Sequence, residues 1–508
     1  MLLRLPLRRV PALSLPCLLA VSLPLTAPQS RAETLAEALA SAYAGNPQLQ
    51  GNRDLVAASD ELVVQARAAY GPSLSLSAQH TFTAARTRGT ALPAEDQGFA
   101  SSVELSLNQP LFTSGRLAAG IDAAEATRLS AREALRGQTQ QLLLDVVSAY
   151  VGVRRDTQLY AIAVENYELL RGQNDVIAAR YALRDSTRPD LEQTANRLEL
   201  AAGRVIEARA TVEASAARYR HLVGHYPQDL APPPPLPALS TLETLYVTAE
   251  RYNPNLAAAT LTAEASRAQV RAARAQMRPQ VSAFSALSRS PLSPYQNTVR
   301  EEAVSAGVRL TLQLYSGGLQ SSALRQAITA NLADQQFVEE ARRTMRETLA
   351  ANWSRLQAAE ASLPRYRAAV QAGERAVDGV SRQETAGIRT LRDVLQVTND
   401  LLNARTAAAQ TEAEIYLRQA ALLRDTGILS ITTLTDHAPY DPDTRVPGIA
   451  RYAGHPVRIV MEPIDRLLQP RAGREAPIVR ENASHFEWSE TLPDPLSPPV
   501  LHDDEAIP

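Results

Sequence analysis

The sequence has few cysteines, few aromatic residues and no long apolar run after its first 32 residues. Only one of its 508 residues is cysteine, so no disulfide can form within the chain. Aromatic residues make up 5% of the chain, too few to fill several large cores, which favours an elongated molecule. After residue 32 no uncharged apolar run reaches the roughly 18 residues that a transmembrane helix needs. The 52 basic and 54 acidic residues nearly cancel, so no nucleic-acid partner is expected.

The first 32 residues are typical of a secretory signal peptide. A basic start precedes an apolar stretch from Val10 to Leu25, and Ser30-Arg-Ala32 fits a small-x-small cleavage site. The single cysteine, Cys17, lies inside this segment and lacks the small residues that precede a lipid-modified cysteine. We therefore predict an exported mature chain that begins at Glu33 and carries no lipid anchor.

An internal repeat organises the rest of the chain. The segment Thr34–Leu49 recurs as Thr241–Leu256, with its Asn-Pro pair displaced by 207 residues. Each copy continues through an Ala-, Arg- and Gln-rich helical stretch to a proline, Pro72 or Pro279, with the same displacement. The repeat therefore predicts two similar halves. The predicted divisions are a signal peptide 1–32, a first repeat 33–229, a Pro-rich linker 230–240, a second repeat 241–435 and a C-terminal tail 436–508.

Each copy contains a predicted strand pair. Apolar and polar side chains alternate over residues 73–79 and 103–108, and over 281–287 and 308–314, which is the period of a strand. The predicted loops between the strands are Thr87–Gln97 and Arg289–Thr298. Weak alternation over about ten residues is typical of a barrel strand with lipid outside and water inside. Four strands cannot close a barrel, so membrane strands would require an oligomer.

Two long helical runs follow the strand pairs, at Gly115–Leu183 and Gly317–Ala386. At about 1.5 Å per residue each run corresponds to roughly 100 Å of helix. A shorter helix follows each run with apolar or small residues every seven positions, as in a coiled coil. These positions are Leu198, Val205, Val212 and Tyr219 in the first copy and Leu401, Ala408, Ile415 and Leu422 in the second. The pattern predicts two matching helix hairpins.

The C-terminal tail and the candidate enzyme sites contribute little to a functional prediction. Residues 436–508 hold 12 of the 33 prolines and are predicted to be largely disordered. His221 and His225 have the spacing of two metal ligands, but Gly224 and Pro227 place them at a helix end without a nearby third ligand. No nucleophile motif or phosphate-binding loop occurs. We therefore predict no enzyme activity, no metal and no cofactor.

The duplicated series of strand pair, long helix and heptad helix behind a signal peptide resembles the TolC family of outer-membrane channels over residues 33–435. The segments Gln109–Arg116 and Gly387–Leu395 look like the family's segments in the right order. The resemblance implies a homotrimer with one 12-stranded transmembrane β-barrel, four strands per protomer, continued by a long periplasmic α-helical barrel. It places the protein in the outer membrane of a Gram-negative bacterium, in contact with outer-membrane lipid. Its implied partners are a periplasmic adaptor and an inner-membrane transporter.

The resemblance also implies an export function. The opening segment Leu35–Gln50 looks most like family members that serve type I protein secretion. An outer-membrane component of a multidrug efflux pump is the alternative within the family. A secreted coiled-coil structural or adhesive protein without a pore is the alternative from another class. It explains the signal peptide and the heptads but not two strand pairs placed identically in both copies.

The resemblance further implies a gate at the periplasmic tips of the hairpins. Matched residue by residue, it assigns a pore aspartate to Asp393, a basic latch to Arg389 and a facing acid to Asp190. The chain departs from the family pattern at Gln396, where a second ring acid is expected, and at Glu384, where a tyrosine is often found. Three symmetry-related carboxylates in a narrow mouth would attract cations and repel one another.

A simpler interpretation of the same acids is open. Thr187-x-x-Asp190 and Thr390-x-x-Asp393 both fit a capping box, in which the acid stabilises the start of a helix. The departure at Glu384 allows a different latch, in which Glu384 pairs with Arg184 or Arg188. The expected latch of the family pattern joins Arg389 to Asp190.

Overall fold

The computed structural model describes residues 32–87, 94–435, 437–445, 456–467 and 469, so residues 1–31 of the predicted signal peptide lie outside the described residues. The first series of elements comprises α1 Leu35–Gly45, α2 Pro47–Ala68, β1 Ser73–Thr87, β2 Ala94–Phe112, α3 Arg116–Ala182 and α4 Arg188–Val223. The second comprises α5 Leu242–Tyr252, α6 Pro254–Gln276, β3 Gln280–Ser293, β4 Gln296–Thr311, α7 Leu319–Thr385 and α8 Leu391–Asp425. Two further helices are α9 Ile431–Leu434 and α10 Pro456–Leu467. The order of elements is the same in both series, which agrees with the internal repeat.

The repeated Asn-Pro pair marks the boundary between the first two helices of each series. Asn46 has an extended backbone, and its side chain accepts hydrogen bonds from the N–H groups of Gln48 and Leu49 at 3.0 and 3.1 Å. Asn253 accepts two equivalent bonds at 2.9 and 3.0 Å. The proline at the first helical position lacks only an N–H that would have no partner in the helix. The pair therefore ends one helix and caps the next in both copies.

The four strands form one antiparallel sheet in the order β1-β2-β3-β4. The central strands, β2 and β3, come from different copies and pair from Val103↔Arg289 to Phe112↔Val281. Strands β1 and β4 are the two edges. Within the described part of the chain, no further strand pairs with their outer sides. The sheet therefore joins the two copies and leaves two open edges.

The predicted loops between the strands are too long. The segment Arg289–Thr298 is mostly strand, because β3 continues to Ser293 and β4 begins at Gln296. Strand also covers both ends of the segment Thr87–Gln97, because β1 ends at Thr87 and β2 begins at Ala94. Residues 88–93 lie outside the described residues. The alternation of side chains locates these strands but does not locate their ends.

Cross-strand pairing explains how β3 and β4 extend through a polar, proline-bearing stretch. Arg289 lies opposite Glu302, and their side chains form an ion pair at 3.4 Å. The pairing of β2 with β3 ends at Arg289, so the following Pro291 lies on an edge of the sheet. Proline is tolerated there because no neighbouring strand needs its N–H.

The helices α3 and α7 are the longest elements of the molecule, with 67 residues each. This corresponds to roughly 100 Å at about 1.5 Å per residue, as predicted. Pro364 lies inside α7 without ending it. The helices α4 and α8, of 36 and 35 residues, turn back to form the predicted hairpins. In the described ranges, every helix lacks a stretch apolar enough and long enough to cross a membrane.

Small and aliphatic side chains build the core around the middle of α3. The main cluster packs α1, the end of α4 and the end of α8 against this helix. Its large, fully buried side chains include Leu35, Leu39, Leu143, Val146, Val147, Tyr150 and Tyr219. A second cluster joins α5, α6, α7 and α8 in the other copy. Several modest clusters distributed along the helices explain how the chain folds with few aromatic residues.

The start of the first copy and the linker between copies are bonded to each other. Glu33 donates its N–H to the carbonyl of Asp229 at 2.7 Å, and its own carbonyl accepts from the N–H of Ala231 at 2.9 Å. The hydroxyl of Tyr150 lies 2.8 and 2.7 Å from the carbonyls of Glu33 and Ala231, and burial raises the pKa of Tyr150 to about 12. Tyr219 donates to the Glu33 carboxylate at 2.6 Å. These bonds fix the predicted mature start beside the Pro-rich linker.

Two segments of the tail, residues 437–445 and 456–467, are folded in the structure. In the first segment, the guanidinium of Arg53 lies between two rings, 4.7 Å from Tyr43 and 4.5 Å from Tyr440. The N–H of Tyr440 also donates to the Tyr43 hydroxyl at 2.7 Å. Residues 471–508 lie outside the described residues. The tail is therefore packed against the first copy for part of its length.

The second ordered tail segment, α10, packs over the junction between β2 and α3. The carboxylate of Asp465 is 1% exposed and accepts hydrogen bonds from the N–H groups of Thr113 and Gly115 at 2.9 and 2.8 Å. It also accepts from the hydroxyls of Thr113 and Tyr70 at 2.8 and 2.9 Å. Burial and the nearby Asp465 raise the pKa of Tyr70. Asp465 therefore holds the turn that precedes α3, and the hydroxyl of Thr113 caps the helix by accepting from the N–H of Leu117 at 3.2 Å.

Candidate gate and membrane-facing sheet

One face of the sheet is apolar and exposed. Leu76, Leu105, Leu287 and Val304 lie side by side across the four strands, and all four are exposed. The neighbouring rows on this face carry further apolar side chains, namely Leu74, Leu107, Val281, Val308 and Leu310. Exposed apolar surface of this extent needs a cover, either protein or lipid.

The opposite face of the sheet carries small and polar side chains. Ser75, Ser106, Ala286 and Ser305 form one row across the strands, and the hydroxyls of Ser75 and Ser106 are 2.7 Å apart. The next rows include charged groups, and the guanidinium of Arg309 lies over the Phe284 ring at 4.6 Å. A sheet with one apolar and one polar face suits a boundary between lipid and water.

The two hairpin tips have the same backbone geometry with different residues. In the first tip, Arg184 has a positive φ of 64°, and the N–H of Asp185 bonds the Arg180 carbonyl at 2.8 Å. In the second tip, Gly387 has a φ of 74°, and the N–H of Ile388 bonds the Gln383 carbonyl at 2.8 Å. Both are helix ends that require a left-handed residue, for which glycine is preferred. The first tip is therefore the more strained.

We expect Arg184→Gly to stabilise the first tip by about 0.5–1 kcal/mol, because glycine adopts the left-handed region without a Cβ clash. Gly387→Ala at the equivalent position of the second tip is expected to destabilise by a similar amount. Amide hydrogen exchange of the two tips in the purified protein measures both changes. Faster exchange at the first tip after Arg184→Gly would contradict the assignment of strain.

Asp190 and Asp393 both close capping boxes, as the simpler interpretation predicts. One carboxylate oxygen of Asp393 accepts bonds from the N–H and the hydroxyl of Thr390, both at 3.0 Å. These two bonds hold the pKa of Asp393 below its usual range, so it is charged at neutral pH. Asp190 makes the same bonds to Thr187, at 3.3 and 2.6 Å. In both cases the capping bonds use a single oxygen, so the pore role of these acids stays a prediction.

Within one chain Arg389 contacts the acid of its own hairpin, and the pairing of Arg389 with Asp190 stays a prediction. The Arg389 guanidinium lies 4.0 Å from the carboxylate of Asp393, at the start of its own helix. Gln396 donates to Asp400 one turn later on α8, at 3.0 Å. Both side chains therefore interact locally on the second hairpin.

Glu384 forms an ion pair between the hairpins, with a partner other than the two predicted ones. Glu384 pairs with Arg180 at 2.7 Å rather than with Arg184 or Arg188, and the two side chains are 18% and 32% exposed. Arg184 belongs to the turn and Arg188 pairs with Glu192 at 3.6 Å, whereas Arg180 is in the last turn of α3. The ion pair therefore joins the last turns of α3 and α7, just above the two tips.

A second link between the hairpins was not predicted from the sequence. Arg405 on α8 contacts Glu165 on α3 and Glu374 on α7, both at 2.8 Å. The two carboxylates raise the pKa of Arg405. The link borders a groove of about 670 Å³ between α3, α7 and α8. The residues lie 240 and 31 positions apart, so sequence spacing gave no signal for this contact.

Comparison with known proteins identifies a family, relatives in sequence and solved structures with the same fold. Residues 38–225 and 245–427 match the family described as Outer membrane efflux protein. The outer membrane efflux protein BepC of Brucella suis is 29% identical over 421 residues, which cover 82% of this chain and 91% of BepC. The alkaline protease secretion protein AprF of Pseudomonas aeruginosa is 28% identical over 353 residues, 65% of this chain and 70% of AprF. The solved CmeC outer membrane channel of Campylobacter jejuni shares the fold, with a TM-score of 0.68, 14% identity and coverage of 82% of this chain and 89% of CmeC.

The family match includes both repeats, and the shared fold combines the sheet with the long helix hairpins. The predicted fold, β-barrel strands continued by a helical tunnel, is confirmed, as is the prediction of an outer-membrane export channel. The chain belongs to the outer membrane efflux protein family and is an outer-membrane channel whose helical part stands in the periplasm.

Proposed function

We propose that three copies of this chain form one 12-stranded barrel and serve as the outer-membrane component of a type I protein secretion system. The observation that carries the trimer is the four-stranded sheet with one exposed apolar face and two open edges. An open edge in lipid leaves backbone groups unsatisfied, and four strands are too few to close a barrel. Pairing β4 of one copy with β1 of the next removes every edge.

The proposed partners are a periplasmic adaptor and an inner-membrane transporter. The chain supplies the conduit, while binding and movement of the exported protein are the work of the transporter. The groove between the hairpins, bordered by Arg405, is accessible for helical contacts from the adaptor. In this scheme the chain itself catalyses no reaction.

Protein secretion is favoured by the similarity to AprF, which is named as a protease secretion protein, and by the opening segment Leu35–Gln50. Drug efflux is the second candidate, and the similarity to the efflux protein BepC favours it. Deleting the gene in its host separates the two. Type I secretion predicts the loss of one or a few proteins from the culture medium with unchanged drug susceptibility, whereas efflux predicts the reverse.

Conductance across planar lipid bilayers tests the channel directly. We expect the purified mature protein to form discrete conducting units. Leu287→Arg places a charge on the apolar face and is expected to cost about 2–4 kcal/mol per chain in a membrane barrel, which abolishes insertion. Ser288→Arg on the polar face is the matched control and should still insert and conduct. Equal behaviour of the two variants would contradict a lipid-facing sheet.

Asp393→Asn separates the two roles of this acid. The amide oxygen of asparagine still caps α8, but the charge at the tip is lost. We expect cation selectivity to fall several-fold, because the substitution removes three carboxylates from the narrow mouth of the pore. Thr390→Ala is the opposite control, since it weakens the cap by about 1 kcal/mol and keeps the charge. Reversal potentials in a salt gradient measure the effect, and unchanged selectivity in Asp393→Asn would reduce Asp393 to a helix cap.

A further inference from the structure

Helix α10 turns its apolar side away from the protein. Ile459, Val460, Ile464 and Leu467 are exposed, and Leu467 is 84% exposed. Their spacing places them on one side of the helix, so they form a single stripe. A surface helix of a water-surrounded protein has the opposite arrangement, with its apolar side inward.

The charged side of α10 is held by specific bonds to the first copy. Arg466 pairs with Asp122 on α3 at 2.8 Å and with Glu462 on its own helix at 2.9 Å. Arg458 also contacts Glu462, at 3.3 Å, and the buried Asp465 bonds the turn that precedes α3. Rotating the helix to bury the stripe would break these bonds. Among the described residues the stripe therefore stays uncovered.

The position of α10 indicates what covers the stripe. Phe112, Val281 and Leu310 form one row at the end of the sheet that leads into the long helices. This row belongs to the apolar face, since Val281 and Leu310 alternate in phase with Leu287 and Val304. Thr113 follows Phe112 directly and donates two bonds to Asp465 of α10. The helix therefore lies at the margin of the apolar face, on its periplasmic side.

We propose that α10 is an interfacial helix whose apolar stripe inserts into the periplasmic leaflet of the outer membrane. This rests on the proposed function, because it requires the apolar face of the sheet to lie in lipid. Phospholipid is the occupant because the stripe lies beside the margin of that face. An amphipathic helix parallel to the membrane inserts its apolar side about 5–10 Å into the boundary between headgroups and acyl chains. The tail thus supplies a membrane contact at the level where the barrel ends.

Lipid-quenching of single-cysteine variants tests the proposal. The predicted mature chain from Glu33 contains no cysteine, so Leu467→Cys introduces a unique site for an environment-sensitive fluorophore. The labelled protein is reconstituted in phospholipid vesicles whose lipids carry a spin label near the headgroup or near the chain end. Leu76→Cys on the apolar face is the positive control, and Arg209→Cys, exposed on α4, is the negative control. Ile459→Cys on the same stripe provides a second reporter.

The proposal predicts that the headgroup-proximal spin label quenches the fluorophore at residue 467 at least about half as strongly as the one at residue 76. The fluorophore at residue 209 should remain unquenched. Quenching at residue 76 without quenching at residues 467 and 459 would overturn the membrane contact and leave the channel intact. Stripe positions shielded from both lipid quenchers and aqueous iodide would show that a protein covers them, which also overturns the proposal. Absence of quenching at residue 76 would overturn the proposed function together with this inference.

Discussion

Arg180→Glu is expected to shift the channel strongly toward its open state. Arg180 and Glu384 join the last turns of α3 and α7 by an ion pair at 2.7 Å, in a partly buried setting. The substitution replaces attraction with repulsion between two carboxylates. Disrupting such a pair costs about 1–3 kcal/mol, and about 1.4 kcal/mol corresponds to a tenfold change in an equilibrium. Each of three protomers carries the pair, so single-channel open probability should rise at least about tenfold.

The pair itself is tested by exchanging its charges. The double substitution Arg180→Glu with Glu384→Arg restores the attraction and should return the open probability toward that of the original channel. Arg171→Glu is the matched control, because Arg171 contacts Glu168 on the same helix and both side chains are well exposed. It changes the charge of α3 equally without breaking a link between hairpins. An equal increase in Arg171→Glu would show that net charge, and not this latch, controls opening.

Local patterns predicted much of the fold because their causes are local. The Asn-Pro pairs predict a helix boundary, and the structure shows Asn46 and Asn253 accepting the bonds that cap α2 and α6. The Thr-x-x-Asp spacing likewise predicts the capping boxes of α4 and α8. Period-two alternation located all four strands. It did not give their ends, because pairs such as Arg289 with Glu302 extend the ladder through residues with little strand character.

Contacts between distant segments could not be predicted in this way. Arg180 and Glu384 lie 204 residues apart, and nothing in the sequence distinguishes Arg180 from Arg184 or Arg188 as the partner. Which arginine meets the acid depends on how α3 lies against α7. The family resemblance implied a gate in this region, and the geometry of the two helices pairs Glu384 with an arginine that the resemblance did not name.

The two folded segments of the tail were missed for a different reason. Its many prolines and its polar end dominated the composition, which favoured disorder over residues 436–508. The apolar residues Ile459, Val460, Ile464 and Leu467 recur at helical spacing inside this stretch, and this pattern was the available signal. Asp465 between them is the residue that docks the helix. Composition averaged over a long window therefore hid a short amphipathic element.

Asp465→Ala is expected to cause the largest loss of stability of any single substitution considered. It removes the acceptor of four hydrogen bonds and leaves the N–H groups of Thr113 and Gly115 and the hydroxyl of Tyr70 buried without a partner. Removing one side of a buried charged network costs about 3–5 kcal/mol. The change should release α10 and expose the start of α3, which hydrogen exchange at residues 113–119 and the thermal unfolding midpoint measure.

Asp443→Ala is the control in the same tail. Asp443 pairs with Arg132 at 2.7 Å, but its side chain is 65% exposed, so its loss should cost less than about 1 kcal/mol. A large drop in the unfolding midpoint for Asp465→Ala and a small one for Asp443→Ala would locate the attachment of the tail at the turn that precedes α3. Unchanged exchange at the start of α3 in Asp465→Ala would mean that water or a neighbouring protomer satisfies these donors. In that case α10 would not stabilise the junction between β2 and α3, and the four bonds to Asp465 would contribute little to holding the long helix in place.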